Sequence, residues 1–523
     1  MSINRSISLN KTNYLSQLSK DFLLGNDIGI FNPSVSQYSQ LLEKAEQKAF
    51  DPHKRQGLVD ALLRQYKSDG IELNEESAVY QNIVSLKDSN CYTITTGQQI
   101  HIFLGPLFFL HKINSLLGHV KNLKMHSQNV KVVPVFWMAT EDHDLDEINY
   151  VNLYGEKFQW NANAGNAVGR IACDGLQNLI NDLESRADKT VENKQLFTIF
   201  REHYTNEKSL ASATRSLLNA LFENQGLIII NPDDTYFKQQ FAPVAKQEIE
   251  NKILFNTYNA ATKRLKQKGY KPKVNAQEIN YFWFDKSLRL KINSKNGYKL
   301  NNSDQSEWSI TQLTLNSEQL SPNVLARPLY QELILPNIAY IGGSAEIDYW
   351  LPLQDAFNDL GIQFPALLLR DSALYLTPKN LETIEKTGLK WEHLFLSDHE
   401  LSEIYSALQN HTSTNLKGHL KIILEAAETI NHTLSQNELN SAEGIKILGE
   451  LQKSAHKLSK LLTDKDLSQQ KADLKMGKVF KIKQRFFETK QERQEFSLSY
   501  PQLIANYNGR GKELEAEMQV HIL

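Results

Sequence analysis

The densest chemistry in this chain lies at Glu141-Asp142-His143-Asp144-Leu145-Asp146-Glu147, five acids and one histidine in seven residues. Three readings fit those residue types. Hard carboxylate oxygens with one imidazole are the donors a metal site uses. The same groups suit a pocket for an ammonium or for sugar hydroxyls, with His143 as an acid/base group. They also suit a solvated charge run that caps a helix. The apolar run just before them, VKVVPVFWMA at 130–139, weighs against the last reading. A buried strand there would aim the acidic turn at the rim of a sheet.

Two further segments carry glycines where a ligand could approach. Thr95-Thr96-Gly97-Gln98-Gln99 follows a β-rich run, and Gly105-Pro106 precedes a helical pattern. Backbone N–H groups at Gly97 and Gly105 could face an anion at the helix start, and Pro106 suits a first turn. The spacing is neither a Walker loop nor GxGxxG, and an ordinary strand-to-helix turn fits as well. In NVLARPLYQELILPNIAYIGGSAEIDYW, 323–350, Arg327 could pair with a substrate carboxylate or phosphate, or with Glu332. Gly342 and Gly343 follow a strand, and Glu346 opens a helix. Tyr349 and Trp350 fit either a core or a stacking surface. Gln491-Glu492-Arg493 reads as a charged helix end.

The elements that must hold these residues are legible in outline. The run at 130–139 is apolar without alternation, the pattern of a strand buried on both faces of a parallel sheet, and a β-rich run at 92–96 with apolar runs at 227–230, 339–341 and 366–369 reads as further strands. The 107–120 stretch is helical in period and completes a βαβ unit. Residues 1–75 read as helices with polar breaks. The stretches at about 155–215 and 270–325 are polar and irregular, as insertions into a core at 76–377. From 378 to 490 the pattern is helical only. Leu416, Leu420, Ile423, Ala427, Ile430 and Leu434, and then Leu448, Leu451, Ala455, Leu458 and Leu462, step by threes and fours as heptad seams. A break at 435–441 would let them form an antiparallel hairpin, and 491–523 would return to the core.

Bulk properties narrow the class. With 523 residues, 41% apolar and 23% charged, the chain suits a globular protein of about two to four domains. A net charge of -2 argues against a general nucleic-acid binder. Two cysteines, Cys91 and Cys173, form neither a disulfide framework nor a Cys-rich zinc site and fit a reducing cytosol. The N-terminus has no apolar signal core, and no stretch reaches the ~20 apolar residues of a membrane span. A cytoplasmic location is expected.

The segments at 95–106, 133–149, 327–350, 364–372 and 491–493 together resemble the BshC family of bacillithiol biosynthesis. That resemblance implies a Rossmann-like α/β core similar to class I nucleotidyltransferases and synthetases, with connecting insertions and a coiled-coil hairpin. It implies a cysteine ligase that joins L-cysteine to the amine of glucosaminyl malate, working as a homodimer; activation by ATP or another nucleotide, without a metal, is the expected chemistry, and the rival readings are a metal-assisted hydrolase or nucleotidyltransferase using the acidic turn and a non-catalytic coiled-coil scaffold. For the ligase reaction the catalytic candidates are Asp142 or Asp144, to hold an ammonium, and His143, to take the proton from the attacking amine. Gly97, Gln98, Gln99, Gly105, Pro106, Glu141, Arg327, Gly342, Gly343, Glu346 and Tyr349 would line the substrate pocket. The chain has no His-x-Gly-His and no KMSKS-type loop, and Glu488-Thr489-Lys490 replaces the family's proline and glycine.

Overall fold

The buried apolar runs pair into one sheet. The computed structural model describes residues 3–8, 12, 15–127, 129–154, 156–162, 167–285, 288–293, 299–300, 312, 315–408, 473–487, 517–522 and single positions within 422–461. Five strands make the central sheet: β1 (Cys91–Gln98), β2 (Lys131–Met138), β3 (Ile228–Ile230), β4 (Asn337–Gly342) and β5 (Ala366–Leu369). Their order is β3-β2-β1-β4-β5, and every pairing is parallel. Val133, Val135, Phe136, Ile94, Ile229 and Ile341 are all fully buried, as strands covered on both faces require.

The order fixes where a ligand can enter. From β1 the chain steps outward through β2 to β3, then crosses back to lay β4 on the other side of β1. Connections therefore leave the neighbouring strands β1 and β4 in opposite directions. This is the topological switch point, where open α/β sheets leave a crevice at the carboxyl ends of their strands. In register, Gly97 lies beside Trp137 and Thr96 beside Ile341, so the turns after β1, β2 and β4 emerge at one rim.

Helices α1 (Phe108–His126), α2 (Thr235–Asn251), α3 (Arg327–Ile334) and α4 (Ser344–Trp350) supply further residues to that rim. The stretch read as irregular at 155–215 is largely helical, with helices Leu176–Arg186, Val191–His203 and Leu210–Phe222. Their polar outer faces hide a buried side made by Leu179, Ile180, Leu183, Leu196, Phe197, Phe200, Leu217 and Leu218. The stretch at 270–325 carries an antiparallel sheet of Leu320–Pro322, Tyr281–Asp285, Leu288–Asn293 and Lys299–Leu300.

The chain divides into two compact units. The central sheet and the helices and strands named above belong to the unit of Leu15–Ala373 and Arg493–Met518. The other unit, Met1–Tyr14, Leu374–Glu492 and Gln519–Leu523, contains helix Leu474–Phe487 with Met476, Val479 and Phe486 buried. Of the heptad-seam residues, all but Ile430 and Leu458 lie outside the described residues, as do 488–493. Among the described residues no helix is long and apolar enough to cross a membrane.

Candidate functional site

A cavity of about 790 Å3 opens at the switch point. Gly97, Gln98 and Gln99 reach it from the end of β1, Glu141, Asp142, His143 and Glu147 from the turn after β2, and Arg327, Glu346 and Tyr349 from α3 and α4. The sequence placed these ten residues in two separate strand-end turns and a third segment nearly 180 residues away, and the parallel sheet brings them together.

Glu346 is held at three points. Its carboxylate takes Lys112 Nζ at 2.5 Å, the Tyr340 hydroxyl at 2.6 Å and the Gly343 N–H at 2.9 Å. Lys112 also donates to the Gly97 carbonyl at 2.7 Å, so one buried ammonium from α1 ties the end of β1 to α4. Burial opposes the Glu346 charge, but Lys112 and the Gly343 N–H outweigh it and keep the carboxyl below its ordinary pKa. A Cβ on Gly342 would lie 3.0 Å from the Glu346 Cβ and 3.1 Å from the Tyr340 ring, so the close turn requires glycine there.

Arg327 donates to the Tyr349 hydroxyl at 3.0 Å. It does not pair with Glu332, which faces the opposite end of α3. Burial works against the guanidinium charge, and the Tyr349 and Tyr340 phenols with Glu346 and Asp142 more than restore it.

The acidic turn is distributed over cations and donors. Glu141 pairs with Lys238 Nζ of α2 at 2.8 Å, and Lys238 also meets Asp233 at 2.7 Å. Arg170 grips Asp233 through Nε at 2.6 Å and Nη2 at 2.8 Å. Asp142 accepts from Gln99 Nε2 at 2.8 Å and from the His143 N–H at 2.8 Å. Gln99 Nε2 also donates to Glu147 at 2.6 Å, bridging the two acids. Burial raises the Asp142 pKa, but contacts with His143 and Gln99 and the Arg289 charge hold it well below the carboxylate range. Among the described residues no three His, Cys, Asp or Glu side chains converge as metal ligands.

Arg289 completes the site and was not read from the sequence. It lies on the strand Leu288–Asn293, its side chain 6% exposed and its guanidinium 4.1 Å from the centre of the Phe282 ring. It donates to the Ser321 hydroxyl at 3.1 Å and the Pro322 carbonyl at 3.0 Å, and its Nη1 lies 3.1 Å from His143 Nδ1. Arginine has no acceptor, so Nδ1 must accept and the neutral His143 ring carries its proton on Nε2. Asp142 Oδ1 is 3.6 Å from the same nitrogen, too far to compete.

Five expected site residues do not line this cavity. Asp144 is exposed on the outside of the turn. Gly342 and Gly343 act behind Glu346 rather than on the cavity surface. Gly105 and Pro106 are withdrawn because Ile100, Ile102, Phe103 and Leu104, all fully buried, turn the chain into the core between Gln99 and α1. Phe103 and Leu104 take φ values of 53° and 59°, and the Phe103 N–H is held by the Tyr204 hydroxyl at 3.0 Å. Lys112, Lys238 and Arg289 were missed. A lone lysine in the apolar pattern LFFLHKINSLL and the period-two alternation of LRLKI were the available signals.

A parallel sheet of this order with a polar cavity at its switch point defines a Rossmann-like ligand-binding protein. The family model for the N-terminal Rossmann-like domain of bacillithiol biosynthesis BshC matches residues 3–371, and the chain belongs to the BshC family. A relative from Flavobacterium johnsoniae, named "Putative cysteine ligase BshC", is 39% identical over 76% of this chain and 75% of its own. One of the same name from Flavobacterium psychrophilum is 38% identical over 81% of each chain. Among solved structures, the tryptophanyl-tRNA synthetase of Plasmodium falciparum covers 84% of this chain and 94% of its own at 12% identity, with a TM-score of 0.19, too low to support an inference.

Proposed function

We propose that this chain is a cysteine ligase of bacillithiol biosynthesis, joining the carboxyl of L-cysteine to the amine of glucosaminyl malate. The supporting observation is the convergence of the acidic turn, Gln98-Gln99 and the Arg327-Glu346-Tyr349 group on one cavity, in a chain of this family.

The reaction forms one C–N bond. The amine nitrogen attacks an activated acyl carbon, the activating group leaves with the electron pair of its C–O bond, and the amine gives up a proton. Asp142 and Glu147, spaced by Gln99, present carboxylate oxygens to the ammonium and hydroxyls of the amino sugar. Arg327 and Arg289 are the cations positioned for substrate carboxylates and for charge developing on the acyl oxygen. With Nδ1 engaged by Arg289, His143 offers an Nε2–H, which suits donation to that oxygen. To accept the amine proton instead, the ring must first release Arg289. Water or a substrate carboxylate is then the simpler proton acceptor.

A carboxylate condenses with an amine at neutral pH only after activation, which a nucleoside triphosphate supplies when bound. The turns at Gly343 and Gly105 do not fit as its phosphate cradle. The Gly343 N–H is occupied by Glu346, and Gly105 is buried away from the cavity. Arg327 and Arg289 are the groups present that suit phosphate oxygens. A homodimer completes the reading, with light scattering as its check.

The test is ligation by the purified full-length protein given L-cysteine, glucosaminyl malate and ATP, read by mass spectrometry of the amide product. Product is expected, and Arg327→Met and Asp142→Asn should abolish most of it. Absence of product, or turnover unchanged in both variants, overturns the reading.

A further inference from the structure

A second cavity, of about 540 Å3, lies at the amino end of the central sheet, away from the switch point. Lys48 lines it from the turn between helices Tyr38–Gln47 and Pro52–Ser68, Lys54 from the first turn of the second of these helices, and Glu332 from the last turn of α3. Asn358 and Gln363 supply amides on the far wall.

Glu332 is 2% exposed. Its Oε1 accepts from Gln331 Nε2 at 2.9 Å and Asn337 Nδ2 at 2.8 Å, while Oε2 is buried without a partner. A buried oxygen left in that state costs about 1–3 kcal/mol, so a fold that keeps it has a use for it or fills it with water. Lys48 is 8% exposed, and among the described residues neither it nor Lys54 makes an ion pair. Burial lowers the Lys48 pKa, with the Glu332 carboxylate opposing. One cavity thus presents two ammonium groups without an ion pair and one carboxyl oxygen without a donor, while the Asp51 carboxylate on the same wall is engaged by the His53 N–H at 2.7 Å. The volume is within the range of small-molecule sites.

We infer that this cavity binds a small organic acid carrying a hydroxyl or amino donor beside its anionic group. The anion sits on Lys48 and Lys54, and the neighbouring donor reaches Glu332 Oε2. An anion alone leaves Oε2 unmet, and an amine alone faces two lysines, so the pairing of both groups in one molecule sets the specificity.

Titration of the full-length protein with L-serine, D-glycerate, inorganic phosphate and n-propylamine tests this, followed by ligand-detected NMR and calorimetry. Saturable binding of L-serine, D-glycerate or both is expected, with phosphate and propylamine at least about tenfold weaker, a step of about 1.4 kcal/mol. Lys48→Met should weaken the acid about tenfold or more. Glu332→Gln keeps the shape of the side chain and its contacts with Gln331 and Asn337, and should weaken it similarly. Arg327→Met, in the other cavity, should leave it unchanged. No saturable binding of either acid means the cavity holds water only and overturns the inference. So does binding indifferent to both Lys48→Met and Glu332→Gln, or binding lost in Arg327→Met. If one variant fails to fold by circular dichroism, the other decides.

Discussion

The two ends of the central sheet handle buried charge in opposite ways. At the carboxyl end every buried acid has its cation or donor: Glu346 has Lys112, Glu141 has Lys238, Asp233 has Lys238 and Arg170, and Asp142 has Gln99 beside Arg289. At the amino end Glu332 has two amides on one oxygen and nothing on the other. The consequence is visible in protonation. Asp142, Asp233 and Glu346 stay below their ordinary pKa despite burial, whereas burial pushes Glu332 up to about 7. Pairing keeps the first set ionised and fixed in place, as a site that must meet charged substrates requires. Lack of pairing leaves Glu332 able to change charge near neutrality.

Breaking a pair at the carboxyl end should give the largest effect. Lys238→Met strands Glu141 without its cation and leaves Asp233 to Arg170 alone, and loss of one partner of a buried pair costs about 3–5 kcal/mol. Urea unfolding should show that loss. A change below about 1 kcal/mol would mean that Arg170 and Arg289 take over. Next comes Arg327→Met, expected to reduce ligation about 10²–10³-fold, as removal of a preorganised charge stabiliser does, with the fold retained. An equal loss of stability and of activity would make Arg327 a framework residue instead.

The same contrast explains what could be read from sequence. β2, β3 and β5 were legible because doubly covered strands carry nearly uninterrupted apolar runs, while β1 and β4, with Thr93, Thr95, Thr96 and Asn337 among their residues, were marked by the glycines at their ends. The acidic turn and Gln98-Gln99 were legible for that reason. Lys112, Lys238 and Arg289 were not, because each meets its partner only through the fold: Lys112 and Glu346 are 234 residues apart, and Lys238 and Glu141 are 97 apart. Gly105-Pro106 looked like the entry to a ligand-facing helix. Two buried residues in left-handed backbone, Phe103 and Leu104, divert the chain, and bulky side chains give no sequence warning of that conformation.

Glu332 gives the next effect, on the pH dependence of stability. Its pKa rises from 4.5 to about 7 on folding, with burial the main cause. The folded state therefore favours the protonated form. Its contribution is full below pH 4.5 and is lost as pH rises through about 7, a change of up to about 3 kcal/mol. Glu248, also raised to about 7 by burial, adds a slope of the same sign in both proteins, so the comparison is wild type against Glu332→Gln. Chemical denaturation between pH 4.5 and 8 should show the variant losing less stability with rising pH. Parallel curves would mean that Lys44 and Lys48 neutralise Glu332 in solution, and the contrast between the two ends would fail there.

The smallest effect is expected at His143, and it sharpens the reading of the carboxyl end. If Arg289 fixes the ring with its proton on Nε2, the residue acts as a donor. Glutamine, whose amide N–H can donate from a similar position, should then keep much of the activity, with a loss of about tenfold. Alanine should lose about 10²-fold, at the low end of what a positioned proton donor or acceptor contributes. If His143 were instead the proton acceptor for the amine, glutamine would be as poor as alanine.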